Sequence, residues 1–236
     1  MKLLSVSADA KTIKGEKQGF LTGILYLAPA NTSGINVCAA ATEGCKAGCL
    51  NKAGRAAIFP MIEQARIRKT RALFADRNTF MIQLRKDIKA LLRKATRENM
   101  IPCVRLNGTS DLPWLAMEIA RDFPTVQFYD YTKLPNAHTR VLSNYHITFS
   151  KSESNAGECF SALTKGISVA VVFRVKKGQA LPATYGGWNV VDGDLSDLRF
   201  LDPKGVIVGL RAKGPAKRDC AGFVVNPLVQ IGAAIA

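Results

Sequence analysis

Short apolar runs recur along this chain at intervals that suit an α/β fold. After a first run at residues 19–28 they fall at 101–106, 126–131, 145–149, 167–175, 188–191, 206–210 and 222–225. Each has strand length, and most are rich in β-branched or aromatic residues. Helical segments separate several of them. Residues 60–99 carry two apolar stripes, one through Met61, Ala65 and residues 67–73, the other through Phe80, Met81, Leu84, Ile88, Leu91 and Leu92. Pro60 suits a first helical turn, and Asp76-Arg77-Asn78 should divide the region into two helices. Residues 112–123 and 155–165 also read as helical. Strands separated by helices predict a mostly parallel sheet with right-handed crossovers. A count of about eight suits a β/α barrel, complete or partial because several crossovers are short or irregular. The 236 residues are expected to form a single β/α domain, and the polar, Lys-rich opening to about Lys17 precedes its first strand.

No run approaches the roughly 20 apolar residues of a membrane span. Asp9, Lys11 and Lys14 interrupt any leader-like stretch after Met1. A cytoplasmic location without membrane partners is expected, where thiols stay reduced. The six cysteines are then candidates for metal ligation or for burial, not for a disulfide framework.

Three of them stand close together. Cys38, Cys45 and Cys49 lie in a loop of about residues 29–57, with Gly44 and Gly48 beside two of them. Thiolates select zinc, copper(I) or iron–sulfur clusters. Structural zinc favours four ligands at paired short spacings, whereas here the gaps are six and three residues and both histidines, His138 and His146, are distant. An iron–sulfur cluster tolerates wider spacing. Three thiolates would leave one corner of a 4Fe–4S cluster without a nearby protein ligand, although Cys220 could supply a fourth. Cys103 and Cys159 read as core residues. Lys46, Lys52 and Arg55 favour the thiolate form and offset a cluster's negative charge.

Polar residues gather at the expected C-terminal strand ends, where β/α barrels place their chemistry. Arg105 and Asn107 follow the second strand. Tyr131 and Lys133 follow the third, Ser150 and Lys151 the fourth, Arg174 the fifth, Asp192 the sixth and Arg211 the seventh. Together they predict a cationic pocket for a small anionic ligand such as a phosphate or carboxylate. Ser110 and Asp111 also suit a cap for the helix near Leu112. There is no Gly-x-Ser-x-Gly elbow and no phosphate loop ending in Gly-Lys-Ser/Thr.

The net charge of +15 draws polyanions. Much of it lies in residues 60–98, at Arg66, Arg68, Lys69, Arg71, Arg85, Lys86, Lys89, Arg93, Lys94 and Arg97. These helices are a candidate nucleic-acid surface, in which case the cluster is structural or redox-sensing and not catalytic, or they are a solvated outer face.

The segments with Cys38, Gly44-Cys45 and Cys49-Leu-Asn-Lys-Ala-Gly-Arg55, then Val104-Arg-Leu-Asn-Gly-Thr-Ser-Asp111, Phe128-Tyr-Asp-Tyr-Thr-Lys133, Phe149-Ser-Lys-Ser152, Val191-Asp-Gly-Asp194 and Gly209-Leu-Arg-Ala-Lys-Gly214, resemble an uncharacterised bacteriophage family akin to the mycobacteriophage gene-product-88 group. The resemblance implies a phage-encoded protein of the host cytoplasm. More distantly, the chain is reminiscent of radical S-adenosylmethionine enzymes, which implies a barrel carrying a three-cysteine cluster. That likeness does not extend to the features that engage S-adenosylmethionine. Those enzymes space their cysteines three and two apart, and no Gly-Gly-Glu-like segment follows the second strand here.

Overall fold

A computed structural model describes residues 1–7, 10–139 and 142–227; residues 228–236, the end of the expected domain, lie outside the described residues. In chain order the elements are β1 (Leu4–Val6), α1 (Ala10–Glu16), β2 (Phe20–Leu25), α2 (Glu43–Ala47), α3 (Arg55–Ile58), α4 (Pro60–Ala75), α5 (Arg77–Arg97), β3 (Ile101–Arg105) and α6 (Pro113–Asp122). Then come β4 (Gln127–Thr132), β5 (Tyr145–Ser150), α7 (Ala156–Thr164), β6 (Val169–Phe173), β7 (Thr184–Tyr185), β8 (Trp188–Asp192), β9 (Ile207–Arg211) and β10 (Val224–Val225).

The long helical region forms as its pattern requires. Pro60 occupies the first turn of α4, where its missing N–H leaves no bond unmade. Asp76 ends α4 and starts α5, its carboxylate accepting from the Thr79 N–H at 3.0 Å. Phe80, Met81, Leu84, Ile88, Leu91 and Ala95 are the buried stripe of α5. They join Leu21, Leu25, Val104 and Phe128 in the main core, on the helical side of the sheet. Complete burial of each large member contributes about 1.5–3 kcal/mol.

The sheet order is β1-β2-β3-β4-β5-β6-β9-β8-β7, with β10 also beside β6. All pairings are parallel except those of β1 with β2 and β7 with β8. The mostly parallel α/β expectation therefore holds, but the sheet is not closed, and no complete barrel forms. The reason lies at its two ends. Antiparallel β1 takes the free edge of β2, and antiparallel β7 takes that of β8, so neither edge is left for the other. The crossovers from β4 to β5 and from β8 to β9 hold only short 3-10 turns, Ala137–Thr139 and Arg199–Leu201, so the outer ring of helices is incomplete. Neither β1 nor β7 was among the expected strands. Three and two residues long, they are too short to show a period.

The middle of the sheet forks. β5 pairs with Val169 and Ala170 in the first half of β6, and β10 pairs with Val172 and Phe173 in the second. The last described strand thus takes the place that β5 vacates. The inner face is plugged by the segment after β8. Leu198 and Phe200 pack there with Cys103, Tyr129 and Phe20, the Phe200 ring 5.4 Å from Phe20 and 5.5 Å from Tyr129. Arg105 stacks 4.7 Å from the Tyr131 ring centroid and donates to Asp197 Oδ2 at 2.8 Å.

A buried carboxyl sits on the helical side. Asp130 accepts from the Asn107 N–H at 2.7 Å, from Asn107 Nδ2 at 3.2 Å and from the Tyr145 hydroxyl at 3.1 Å. Burial nevertheless pushes its pKa from 3.8 up to about 7, against the charge of Arg105 and these bonds. The folded state therefore holds a proton that the unfolded chain releases. This contribution to stability is whole below about pH 4 and is lost as pH rises toward 7. Asp130→Asn keeps an acceptor for Asn107 and should remove that loss. Urea denaturation at pH 4.5 and 7.5 should show wild type losing stability relative to the variant by on the order of a few kcal/mol. Parallel pH profiles would refute the assignment.

Candidate metal centre

Each of the three clustered cysteines is placed by a different local device. Cys38 is fixed from behind by the loop after β3. Its N–H donates to Asn36 Oδ1 at 2.9 Å, its Sγ lies 3.6 Å from the Thr109 carbonyl, and the Asp111 N–H donates to the Val37 carbonyl at 2.8 Å. Gly108 lets that loop pass, since a Cβ there would stand 2.7 Å from Ile24 Cγ2 and the Tyr26 ring. Cys45 rides on α2, whose N-cap Thr42 accepts from the Cys45 N–H at 3.3 Å. Glu153, beyond β5, holds this helix in place, accepting from the Thr42 hydroxyl at 2.7 Å and the Gly44 N–H at 2.8 Å. Gly44 is required by this approach: a Cβ would lie 2.8 Å from Phe223 Cβ and 3.0 Å from the Glu153 carboxylate. Cys49 precedes the 3-10 turn Leu50–Lys52, and its carbonyl accepts from the Lys52 N–H at 2.9 Å.

The thiols share one electrostatic neighbourhood. Burial pushes the Cys38 thiol up to about 11; a hydrogen bond at the Ala30 backbone opposes this, and negative charge at Cys49, Asp111 and Cys45 adds to it. Burial also raises Cys49, with Cys45 adding to the effect and Arg66 and Lys133 opposing it. None of the three thiols is in a disulfide, and all are partly buried. Among the described residues, no three His, Cys, Asp or Glu side chains stand close enough to hold a single metal ion.

Two cations act on Cys49. The Arg66 guanidinium lies 4.7 Å from the Tyr26 ring centroid and donates to Asn51 Oδ1, while Asn51 Nδ2 donates to Glu63 at 3.0 Å. The Lys133 ammonium lies 5.6 Å from the Phe223 ring centroid. Tyr26 also acts on Arg105, so the aromatic residues connect the thiol loop to the inner face of the sheet.

The strand-end residues do not share one setting. Lys133 stands near the thiols, and Arg105 and Tyr131 lie on the inner face beneath them. Asn107 serves the fold: its Oδ1 accepts from the Ser110 hydroxyl at 2.9 Å and the Leu112 N–H at 2.8 Å. Ser110 and Asp111 do not cap α6, because Asp111 instead accepts from the Thr132 hydroxyl and the Lys133 N–H. Ser150, half-buried at the end of β5, accepts through its carbonyl from Asn155 Nδ2 at 3.0 Å, and Lys151 lines a separate cavity near α7. Arg174 donates to the carbonyls of Lys217 and Asp219. Arg211 binds Asp192 at 2.9 Å and Asp194 at 3.3 Å, within an ion network that includes Lys213. A single pocket holding all nine does not form. Cys220 is exposed. Cys103 is buried, 3.1 Å from the Thr22 hydroxyl, and Cys159 is buried in α7.

Sequence reasoning missed the local roles of Arg66 and Tyr26. Arg66 belongs by sequence to the basic residues expected to form a nucleic-acid surface or a solvated face, yet it is buried on the same side of α4 as Thr70 and Leu73. Its position one helical turn from Thr70 was the available signal.

These features define an α/β protein with an open, mostly parallel sheet and a three-thiol loop at its strand ends. The chain belongs to the Gene product 88 family of phage proteins, whose model matches residues 2–226. No curated protein and no solved structure matches it. No helix among the described residues is long and apolar enough to cross a membrane.

Proposed function

We propose that Cys38, Cys45 and Cys49 hold an iron–sulfur cluster that leaves one iron open to a small anionic ligand. The observation that carries this reading is the nearness of Cys45 and Cys49 to Cys38, close enough for their charges to act on it, together with the two cations that act on Cys49. A cluster supplies its own sulfides and is several ångströms across, so it accepts thiolates set too far apart for one zinc ion. When bound, it supplies electron transfer and a Lewis-acidic iron. The chain's own residues do the rest. Arg66 and Lys133 offset the negative charge of the thiolates, and Asn51 and Tyr26 hold Arg66 in position. Glu153 fixes the Cys45 helix against β10. S-adenosylmethionine is not part of the proposal. Iron and acid-labile sulfide analysis of anaerobically purified protein tests it; stoichiometric zinc without sulfide would refute it.

A second reading, nucleic-acid binding by α4 and α5, is favoured by the exposed cations Arg68, Arg71, Lys86, Lys89, Arg93 and Arg97. Arg85 does not belong with them, because it is held by Glu118 at 3.0 Å and Asp122 at 2.7 Å. Charge reversal of Lys86, Lys89 and Arg93 to Glu should therefore weaken binding to duplex DNA at least about tenfold at low salt, with the fold intact by circular dichroism. A binding curve unmoved by these changes or by salt would reject this surface.

A further inference from the structure

A cavity of about 480 Å³ opens between α7, β6, β9, the β7–β8 hairpin and β10, on the helical side of the sheet, and Glu153 stands between it and the thiol loop. Its volume falls within the roughly 300–1,000 Å³ of small-molecule sites. The walls are aliphatic at Leu163, Val169, Val171 and Ile207. Phe160 and Trp188 form an aromatic side, their ring centroids 5.6 Å apart in an edge-to-face arrangement. One cation, Lys151, stands on this lining.

Lys151 is half-buried, and its ammonium donates to the neighbouring Ser152 carbonyl at 3.0 Å. No carboxylate among the described residues lies in ion-pair contact with it. Glu153 also lines the cavity, but its two oxygens are taken by Thr42 and Gly44. Burial disfavours the Lys151 charge, with only the more distant Cys159 and Glu153 opposing that effect. An ammonium at the edge of an apolar chamber is complemented by a ligand with one acidic group and a hydrocarbon body.

We propose that this cavity binds a lipophilic carboxylate, such as a medium-chain fatty acid, with its head on Lys151 and its chain along Val169, Val171, Leu163 and Ile207. The carboxylate gives the ammonium a charge-assisted partner, and the chain replaces solvent against apolar walls. The Cys159 thiol on the same lining takes no chemical part. Burial pushes it up to about 11 against the influence of Lys151, so it stays protonated and serves as apolar wall. The site goes beyond the proposed cluster and does not depend on it.

The test is calorimetric titration of the full chain with decanoate and with decanol, each below its aggregation threshold, with tryptophan fluorescence as a second readout. Decanoate should bind at least about tenfold more tightly than decanol, the margin of one charged hydrogen bond. Lys151→Met should remove that margin and leave decanol affinity unchanged. Ala156→Phe should fill the chamber and abolish both, and circular dichroism and thermal melting will show whether this variant is folded. Equal affinity for acid and alcohol would overturn the proposal, as would a Lys151→Met variant that binds decanoate like wild type. A variant ending at Pro227 supplies the last control. If decanoate binds only to that shortened chain, residues 228–236 are the occupant and the proposal fails.

Discussion

Anaerobically purified protein is expected to be brown, and colourless once Cys38, Cys45 and Cys49 are all replaced by Ala. The thiols explain why the effect should be complete. Three donors are few for a cluster, and the triple replacement removes every thiol of the loop. Cys103 is on the inner face and is not positioned as a substitute. Without metal, burial keeps Cys38 protonated, with its pKa near 11. Assembly must therefore displace protons, and uptake of iron and sulfide should improve as pH rises from 6 to 8. If the proposed cluster binds only the folded chain, the triple variant should also lose at least about 3 kcal/mol of stability relative to the loaded protein. Visible absorption, sulfide content and urea midpoints measure the three consequences. A triple variant as coloured as the parent would refute the assignment of ligands.

The second large effect is expected at Asp197. Its carboxylate is 5% exposed and binds Arg105, whose side chain is 13% exposed. Burial works against the Arg105 charge, and Asp197 and the surrounding tyrosines outweigh it. Asp197→Ala leaves a guanidinium inside the sheet without its counter-charge, which should cost about 3–5 kcal/mol. Arg105→Met with Asp197→Leu removes both charges and should recover most of that loss. Equilibrium urea unfolding decides the matter: a single variant as stable as wild type would show that water reaches Arg105.

The parallel strands were legible because their apolar runs are long enough to be buried on both faces. The α4–α5 boundary was legible because one aspartate serves both helix ends. What escaped was whatever depends on distant partners. The edge strands β1 and β7 carry too few residues to show a period, so the strand count suits a complete or partial barrel, whereas the sheet is open. Asp197 lies in a loop whose composition gives no sign that it folds inward to meet Arg105. The strand-end polar residues were correctly placed along the chain. Whether each faces the mouth, caps a loop or pairs with a neighbour is set by contacts that no single segment contains. Arg211 and Lys151 show the difference: one is consumed by Asp192 and Asp194, the other lines a cavity on the helical side of the sheet.

The fork in the sheet gives the thiol loop a timetable. Gly44 is seated against Glu153, 109 positions later, and against Phe223, which precedes the last described strand. At roughly 5–20 residues per second of synthesis, the loop waits on the order of ten seconds for these walls to exist. During that interval Cys38, Cys45 and Cys49 belong to a nascent chain with no floor beneath α2, open to oxidants and to adventitious metals. If the loop takes the proposed cluster, loading would be a late event in the life of the chain, and protein made under oxygen should carry less iron and sulfide than protein made without it.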